Sequence, residues 1–109
     1  MSVLAIDFDD VICNSKDVKP GRRMGEPMEW AVSAITRLKQ RGHTIIIHTV
    51  RGSRPQHVAD WLDYFQIPYD QITDIKPATA DIYLDDKGLT FRGWDKFSAD
   101  AYEKLGLVL

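Results

Sequence analysis

The chain of 109 residues has room for one hydrophobic core, and we expect a single domain over residues 1–109. Its composition, 44% hydrophobic and 28% charged, is typical of a soluble globular protein and argues against disorder. The net charge of -2 gives no general attraction to nucleic acid or to a membrane, and the apolar runs are too short to span a bilayer. Because Cys13 is the only cysteine and no signal-like segment is visible, we expect a cytoplasmic location and a buried, unreactive thiol.

The first predicted strand ends in a pair of carboxylates. The apolar run at residues 3–6 is typical of a parallel strand that is buried on both faces, and Asp7 and Asp9 follow it directly. Ligands of open α/β sheets bind at this carboxyl edge. Because acidic side chains beside an apolar strand need a cation to neutralise them, the pair indicates a site for a hard cation.

Three helices and three more strands are predicted after this strand, the last of each in the C-terminal tail. A long polar loop at residues 14–26 comes first, marked by proline and glycine. The further elements expected are a helix with Pro27 in its first turn and Gly42 at its end, a strand at residues 43–49, a helix from about residue 55 to 65, and a strand at residues 82–84. Residues 70–77 show no regular pattern, and the tail is expected to form a short strand at 89–91 and a helix at 95–105.

Alternating strands and helices with short connections predict parallel βαβ units with right-handed crossovers. The expected fold is therefore a single Rossmann-like α/β domain with three layers and a mainly parallel sheet.

Polar residues stand at the ends of the first three predicted strands, and a lysine precedes the third. These residues are Asp7, Asp9, Thr49, Lys76, Asp85 and Asp86. Parallel strands bring their carboxyl ends together, so we expect the six side chains to converge. Carboxylates in such a cluster suit Mg²⁺, and a hydroxyl and an ammonium group suit the oxygens of a phosphoryl group.

In this order the residues resemble the four motifs of the haloacid dehalogenase-like phosphohydrolases. The motifs are Asp7-Phe8-Asp9-Asp10-Val11, Thr49 after Ile45-Ile46-Ile47-His48, Lys76-Pro77, and Tyr83-Leu84-Asp85-Asp86. Each motif alone is common, whereas four in order at the expected element boundaries form a specific signal. Glycine is more usual in the family at the position of Asp10, to which we assign no role.

The resemblance implies a Mg²⁺-dependent phosphatase that forms a covalent aspartyl-phosphate on Asp7. Asp9 would protonate the leaving group and then activate the hydrolytic water. Thr49 would bind the phosphoryl group, and Lys76 would neutralise the nucleophile and the phosphate together.

The same resemblance implies a set of metal ligands. Asp85 would bind Mg²⁺ directly and Asp86 directly or through water, beside Asp7 and the backbone carbonyl of Asp9. Sequence reasoning does not distinguish Mg²⁺ from Mn²⁺, since both suit oxygen ligands.

Several residues near the motifs have less specific roles. Arg51 follows the second motif on a loop, so that contact with the substrate phosphate and an ordinary surface position are both open. Side chains alternate along a strand, which places His48 on the opposite face from Thr49 and predicts a packing or capping role for it. His43 is expected at the surface. Four basic residues of the first loop are expected to be solvated, although they could attract a polyanion: Lys16, Lys19, Arg22 and Arg23.

The gaps between the motifs are too short for a cap domain, so the chain resembles a capless member of the family. An open site suits a phosphate on a large or polymeric substrate, such as a saccharide, a nucleic-acid end or a protein. A homo-oligomer in which a neighbouring subunit covers the site is also compatible, while the net charge does not indicate nucleic acid.

Two other interpretations remain. A catalytically weak or inactive module that binds Mg²⁺ or phosphate would have the same residues. A receiver domain of a response regulator is disfavoured, because such domains place the phosphoacceptor between the acidic pair and the threonine, with the lysine last.

Overall fold

In the part of the chain that the structure describes, a parallel sheet of four strands forms the centre. The computed structural model describes residues 2–14, 20, 24–49, 55–75, 77–84, 93–97 and 99. Its elements in chain order are β1 (Val3–Asp7), α1 (Ala31–Gln40), β2 (Thr44–His48), α2 (Pro55–Tyr64), β3 (Gln71–Thr73) and β4 (Ile82–Leu84). The strand order is β3-β2-β1-β4, and all three pairings are parallel. The predicted α/β domain with a mainly parallel sheet is thus confirmed.

The two inner strands are apolar on both faces, as a covered parallel sheet requires. Leu4, Ala5 and Ile6 of β1 are buried, and each lies beside a buried isoleucine of β2 at residues 45–47. Branched side chains favour the extended backbone there because they pack well on a pleated surface.

Both helices share one hydrophobic core with one face of the sheet. The core combines α1, through Ile35 and Leu38, and α2, through Val58 and Leu62, with alternate residues of β1 and β2. The steps from β1 to β2 and from β2 to β3 run in the same direction across the sheet, so crossovers of one hand place both helices on the same face. The predicted strand at 89–91 and most of the predicted helix at 95–105 lie outside the described residues, although Trp94 and the three residues after it are helical.

The sequence prediction missed β3. Residues 70–77 were expected to be irregular, yet Gln71–Thr73 pair with β2 at the edge of the sheet. The strand has only three residues, none of them fully buried, and such a short edge strand leaves no alternating pattern in the sequence.

Pro27 does not lie in the first turn of α1, contrary to the prediction. It forms an antiparallel bridge with Cys13, and α1 begins only at Ala31. The N–H of Met28 donates to the carbonyl of Ile12 at 2.7 Å, and the N–H of Asn14 donates to that of Glu26 at 2.9 Å. These bonds and the bridge hold residues 26–28 beside residues 12–14, ahead of the helix.

Two smaller predictions have opposite outcomes. Cys13 is fully buried, as expected. The prediction of a surface position for His43 is wrong: the residue is 7% exposed, and its Nδ1 accepts the backbone N–H of Ser2 at 3.0 Å. Burial lowers the pKa of His43, which favours the neutral ring that this bond needs.

Neither α1 nor α2, of ten residues each, is long and apolar enough to cross a membrane, and no other helix among the described residues is. No cap domain is evident in the described part of the chain.

Asp70 joins three elements at the amino edge of β2 and β3. Its carboxylate accepts the N–H of Ile45 at 2.7 Å and the ammonium of Lys39 at 2.7 and 2.8 Å. The backbone N–H of Asp70 in turn donates to the carbonyl of Ile45 at 2.8 Å. The bond from the Ile45 N–H, followed by the bond from Lys39, holds the pKa of Asp70 below its ordinary value.

We expect Asp70→Asn to lower the free energy of unfolding at neutral pH by about 1 kcal/mol, since the pair with Lys39 is partly exposed. A carboxyl with a lowered pKa stabilises the fold fully above the ordinary aspartate pKa of about 4, and this contribution disappears as the pH falls through the folded-state value. Urea unfolding should therefore show the variant approaching the wild type near pH 3. Asp63→Asn, at an exposed position on α2, is the control. If the free energy of unfolding of Asp70→Asn differs from that of the wild type by the same amount at neutral pH and near pH 3, the stabilising role of the carboxylate is disproved.

Candidate active site

The last residues of β1 and β2 are strand partners whose side chains touch. Asp7 pairs with His48, and the N–H of Phe8 donates to the carbonyl of His48 at 2.9 Å. Partners in a parallel register project to the same face, here the face opposite to the α1–α2 core. Nδ1 of His48 lies 2.9 Å from Oδ1 of Asp7.

The turn after β1 is fixed by a buried aromatic ring. Phe8 is fully buried and packs edge-on against Trp61, with 5.0 Å between the ring centroids. Its carbonyl accepts the N–H groups of Ile12 at 3.0 Å and Cys13 at 2.9 Å. The anchored backbone on either side of Phe8 carries Asp7 and Asp9, so their spacing is set by the core and not by a free loop.

Asp10 turns the chain in the left-handed region, with φ of 64°. Its N–H donates to the carbonyl of Cys13 at 2.7 Å, which closes the turn. Aspartate tolerates this conformation better than most residues, and glycine adopts it freely. The steric demand of the turn thus accounts for an aspartate where the resembled family more often has glycine.

Thr49 is the first residue after β2 and is only 3% exposed. Its N–H donates to the carbonyl of Thr73, the last residue of β3, at 2.9 Å. The edge strand that the sequence did not predict therefore holds Thr49 in place.

Three of the predicted site residues line one depression at the carboxyl edge of the sheet. The depression has a volume of about 80 Å³, and its walls are Asp7, Phe8, Asp9, His48 and Thr49. A second depression of about 180 Å³ also includes Thr49, and its other walls are Pro55, Ile72, Thr73 and Asp74. The buried threonine thus stands between two adjoining spaces.

The other predicted site residues, Arg51, Lys76, Asp85 and Asp86, lie outside the described residues. Strand β4 ends at Leu84, which pairs with Ile6, one residue before Asp7. The hydroxyl of Tyr83 donates to the carbonyl of Pro77.

Two of the described residues at the depression carry carboxylates, the kind of ligand that a hard cation prefers. Asp7 and Asp9 both line the depression, and the Asp7 side chain is 33% exposed. Mg²⁺ is commonly bound by one or two carboxylates together with water and substrate phosphate, so the donor chemistry fits. Among the described residues, however, no group of three or more histidine, cysteine or acidic side chains could hold a metal ion.

His48 is the site residue that sequence reasoning missed. Alternation along β2 does place it opposite to Thr49, but Asp7 lies on the same face as His48. The prediction of a packing or capping role therefore overlooked its contact with Asp7. The available signal was the parallel pairing of two strands that both end in polar residues.

The comparisons with known proteins inform the fold only. No protein-family model matches the chain, and no curated protein matches it. A solved structure of a conserved protein from Bacteroides thetaiotaomicron is similar, with a TM-score of 0.68 and 21% sequence identity over 94% of this chain and 89% of that one. At this identity the likeness establishes a shared α/β fold.

We expect Asp10→Val to lower the free energy of unfolding by about 1–3 kcal/mol, because a β-branched residue is strained in the left-handed region. Asp10→Gly relieves the strain but increases the conformational entropy of the unfolded chain. Its free energy of unfolding should therefore stay within about 1 kcal/mol of that of the wild type. Urea unfolding of both variants beside Asp10→Asn measures this, and a valine variant as stable as the glycine variant would disprove the strain argument.

Proposed function

We propose that this protein is a capless haloacid dehalogenase-like phosphatase that hydrolyses phosphomonoesters through Asp7. The observation that carries the proposal is the meeting of Asp7, Asp9 and Thr49 around one depression at the carboxyl edge of a parallel sheet. Two strands that are distant in sequence contribute these residues, in the order of the resembled motifs. The 21% identical structure adds no functional argument.

Two contacts support including Lys76 and Asp85 in the proposal. The carbonyl of Pro77, which follows Lys76, accepts a hydrogen bond from the hydroxyl of Tyr83. Tyr83 is the strand partner of Ala5, and both lie on the sheet face that carries Asp7. Asp85 follows β4, whose last residue is paired with β1. Lys76 would offset the charge of Asp7 and of the phosphate.

In the proposed first step, a carboxylate oxygen of Asp7 attacks phosphorus and forms an oxygen–phosphorus bond. The bond from phosphorus to the ester oxygen breaks, and Asp9 gives a proton to the departing oxygen. Asp9 suits this role because it lies in the same depression as Asp7 on a turn anchored by Phe8.

In the second step, a water molecule attacks the phosphorus of the aspartyl-phosphate. Asp9, now unprotonated, takes a proton from this water, and the bond between the Asp7 oxygen and phosphorus breaks. Inorganic phosphate leaves and Asp7 returns to its starting form.

Thr49 would donate its hydroxyl to a phosphoryl oxygen, and its burial favours a strong, ordered hydrogen bond. Mg²⁺, held by Asp7, the carbonyl of Asp9, Asp85 and Asp86, would supply positive charge to the phosphoryl oxygens during transfer.

The proposed substrate is a phosphate on a larger molecule. The second depression adjoins Thr49 and has more than twice the volume of the first, so a leaving group could extend toward Asp74. A site without a cap suits a saccharide, a nucleic-acid end or a protein phosphate, and a neighbouring subunit could cover it. The cytoplasm is the proposed location.

We expect phosphate release from a panel of aryl, sugar, nucleotide and oligonucleotide phosphates to require Mg²⁺ and Asp7. Asp7→Asn should lower turnover by several orders of magnitude, because the uncatalysed reaction is extremely slow. Asp9→Asn should also be strongly impaired, whereas Asp63→Asn on the surface of α2 should match the wild type. An Asp7→Asn activity within tenfold of the wild type would rule out the nucleophile.

The same panel separates the phosphatase from a binding module. If no substrate releases phosphate while Mg²⁺ still raises the melting temperature, a metal- or phosphate-binding role replaces the proposal.

We expect Thr49→Ser to keep most of the activity and Thr49→Val to lower kcat by about 100-fold, because only valine lacks the hydroxyl that stabilises the phosphoryl group. Valine matches the shape of threonine, so the pair separates hydrogen bonding from packing. Steady-state kinetics with p-nitrophenyl phosphate provide the measurement. Equal kcat values for the two variants would remove Thr49 from the catalytic set.

A further inference from the structure

We propose that His48 is a positioning residue that fixes the carboxylate of Asp7 for attack on phosphorus. The inference rests on the proposed function, in which Asp7 is the nucleophile. It starts from the contact between Nδ1 of His48 and Oδ1 of Asp7, at 2.9 Å.

The backbone holds the two residues in place before their side chains meet. Asp7 and His48 are partners in the parallel register, and the bond from the Phe8 N–H to the His48 carbonyl locks the pair at 2.9 Å. The His48 side chain is only 11% exposed, compared with 33% for that of Asp7. The imidazole is therefore the fixed partner, and the more exposed carboxylate is the one that it restrains.

The contact defines the tautomer of the ring. A carboxylate oxygen accepts hydrogen bonds, so Nδ1 of His48 must carry the hydrogen. Such hydrogen bonds from histidine to carboxylate are a common means of orienting a functional group.

Holding Oδ1 limits rotation of the Asp7 carboxylate about its last side-chain bond, a torsion that is otherwise soft. Attack on phosphorus needs the oxygen aligned with the departing group, and small misplacements are costly. With one oxygen bound to His48, the orientation of the other is set as well. Oδ1 itself has lone-pair capacity beyond this one bond, so the contact is compatible with a cation on Asp7.

Two substitutions separate the hydrogen bond from the bulk of the ring. In His48→Asn the side-chain amide nitrogen is bonded to Cγ, as Nδ1 of histidine is, so a hydrogen-bond donor to Asp7 is retained. His48→Leu fills the space without a donor. His43→Leu is the matched control, since it also removes a hydrogen-bonded, buried histidine next to β2, but at the opposite edge of the sheet.

With p-nitrophenyl phosphate and Mg²⁺, we expect His48→Leu to lower kcat by about 100-fold with little change in KM. His48→Asn should recover kcat to within tenfold of the wild type. His43→Leu should lower the melting temperature and leave kcat near the wild-type value. If His48→Leu keeps the kcat of His43→Leu, or if His48→Asn is as impaired as His48→Leu, the inference is overturned while the phosphatase proposal stands.

A spectroscopic readout tests the contact without any activity. Long-range ¹H–¹⁵N spectra show which ring nitrogen of a histidine is protonated, and we expect Nδ1 for His48 in the metal-free wild type. Asp7→Ala removes the acceptor and should shift the hydrogen toward Nε2. A wild-type ring with hydrogen on Nε2 alone would overturn the inference, and a wild type that hydrolyses no phosphomonoester would instead remove the proposed function on which it rests.

Discussion

The parallel pairing of β1 with β2 is the constraint on which the candidate site depends. Pairing Ile6 with Ile47 buries both side chains in the core shared with the helices, and the same register carries Asp7 to His48 one step further. A slip by one residue in this register would separate Asp7 from His48. Thr49 is then fixed by β3, and the turn that carries Asp9 is fixed by the burial of Phe8. The geometry of the site is thus a consequence of how the core is packed.

Strong patterns in the sequence were sufficient to predict the helices and strands at the centre of the fold. The continuous apolar runs that became β1 and β2 and the helical spacing in α1 and α2 correctly predicted four elements and the parallel sheet. Weak local signals failed where tertiary contacts decide the structure. The short strand β3 forms only because it pairs with β2. Pro27 bridges to Cys13, and the buried ring of His43 accepts the backbone N–H of Ser2.

The candidate site was also predicted only in part, because contacts between strands cannot be read from one strand alone. Of the six side chains that were expected to converge at the strand ends, those of Asp7, Asp9 and Thr49 belong to residues that line one depression. His48 was misinterpreted because alternation was considered along one strand, whereas its contact with Asp7 follows from the register between two strands. Arg51, Lys76, Asp85 and Asp86 lie outside the described residues, so their convergence stays a prediction. The fold that this chain shares with the Bacteroides protein does not indicate a reaction, because one α/β fold can host many activities.

In the proposed mechanism, Asp7 becomes phosphorylated during turnover. The most direct measurement is acid quenching of the wild-type protein during its reaction with p-nitrophenyl phosphate and Mg²⁺, followed by peptide mass spectrometry. We expect a phosphoryl group on the peptide that contains Asp7, located at Asp7 by fragmentation and absent from Asp7→Asn. Steady release of phosphate by the wild type with no phosphoryl group on Asp7 at any time of quenching, or with the group on another residue, would contradict it.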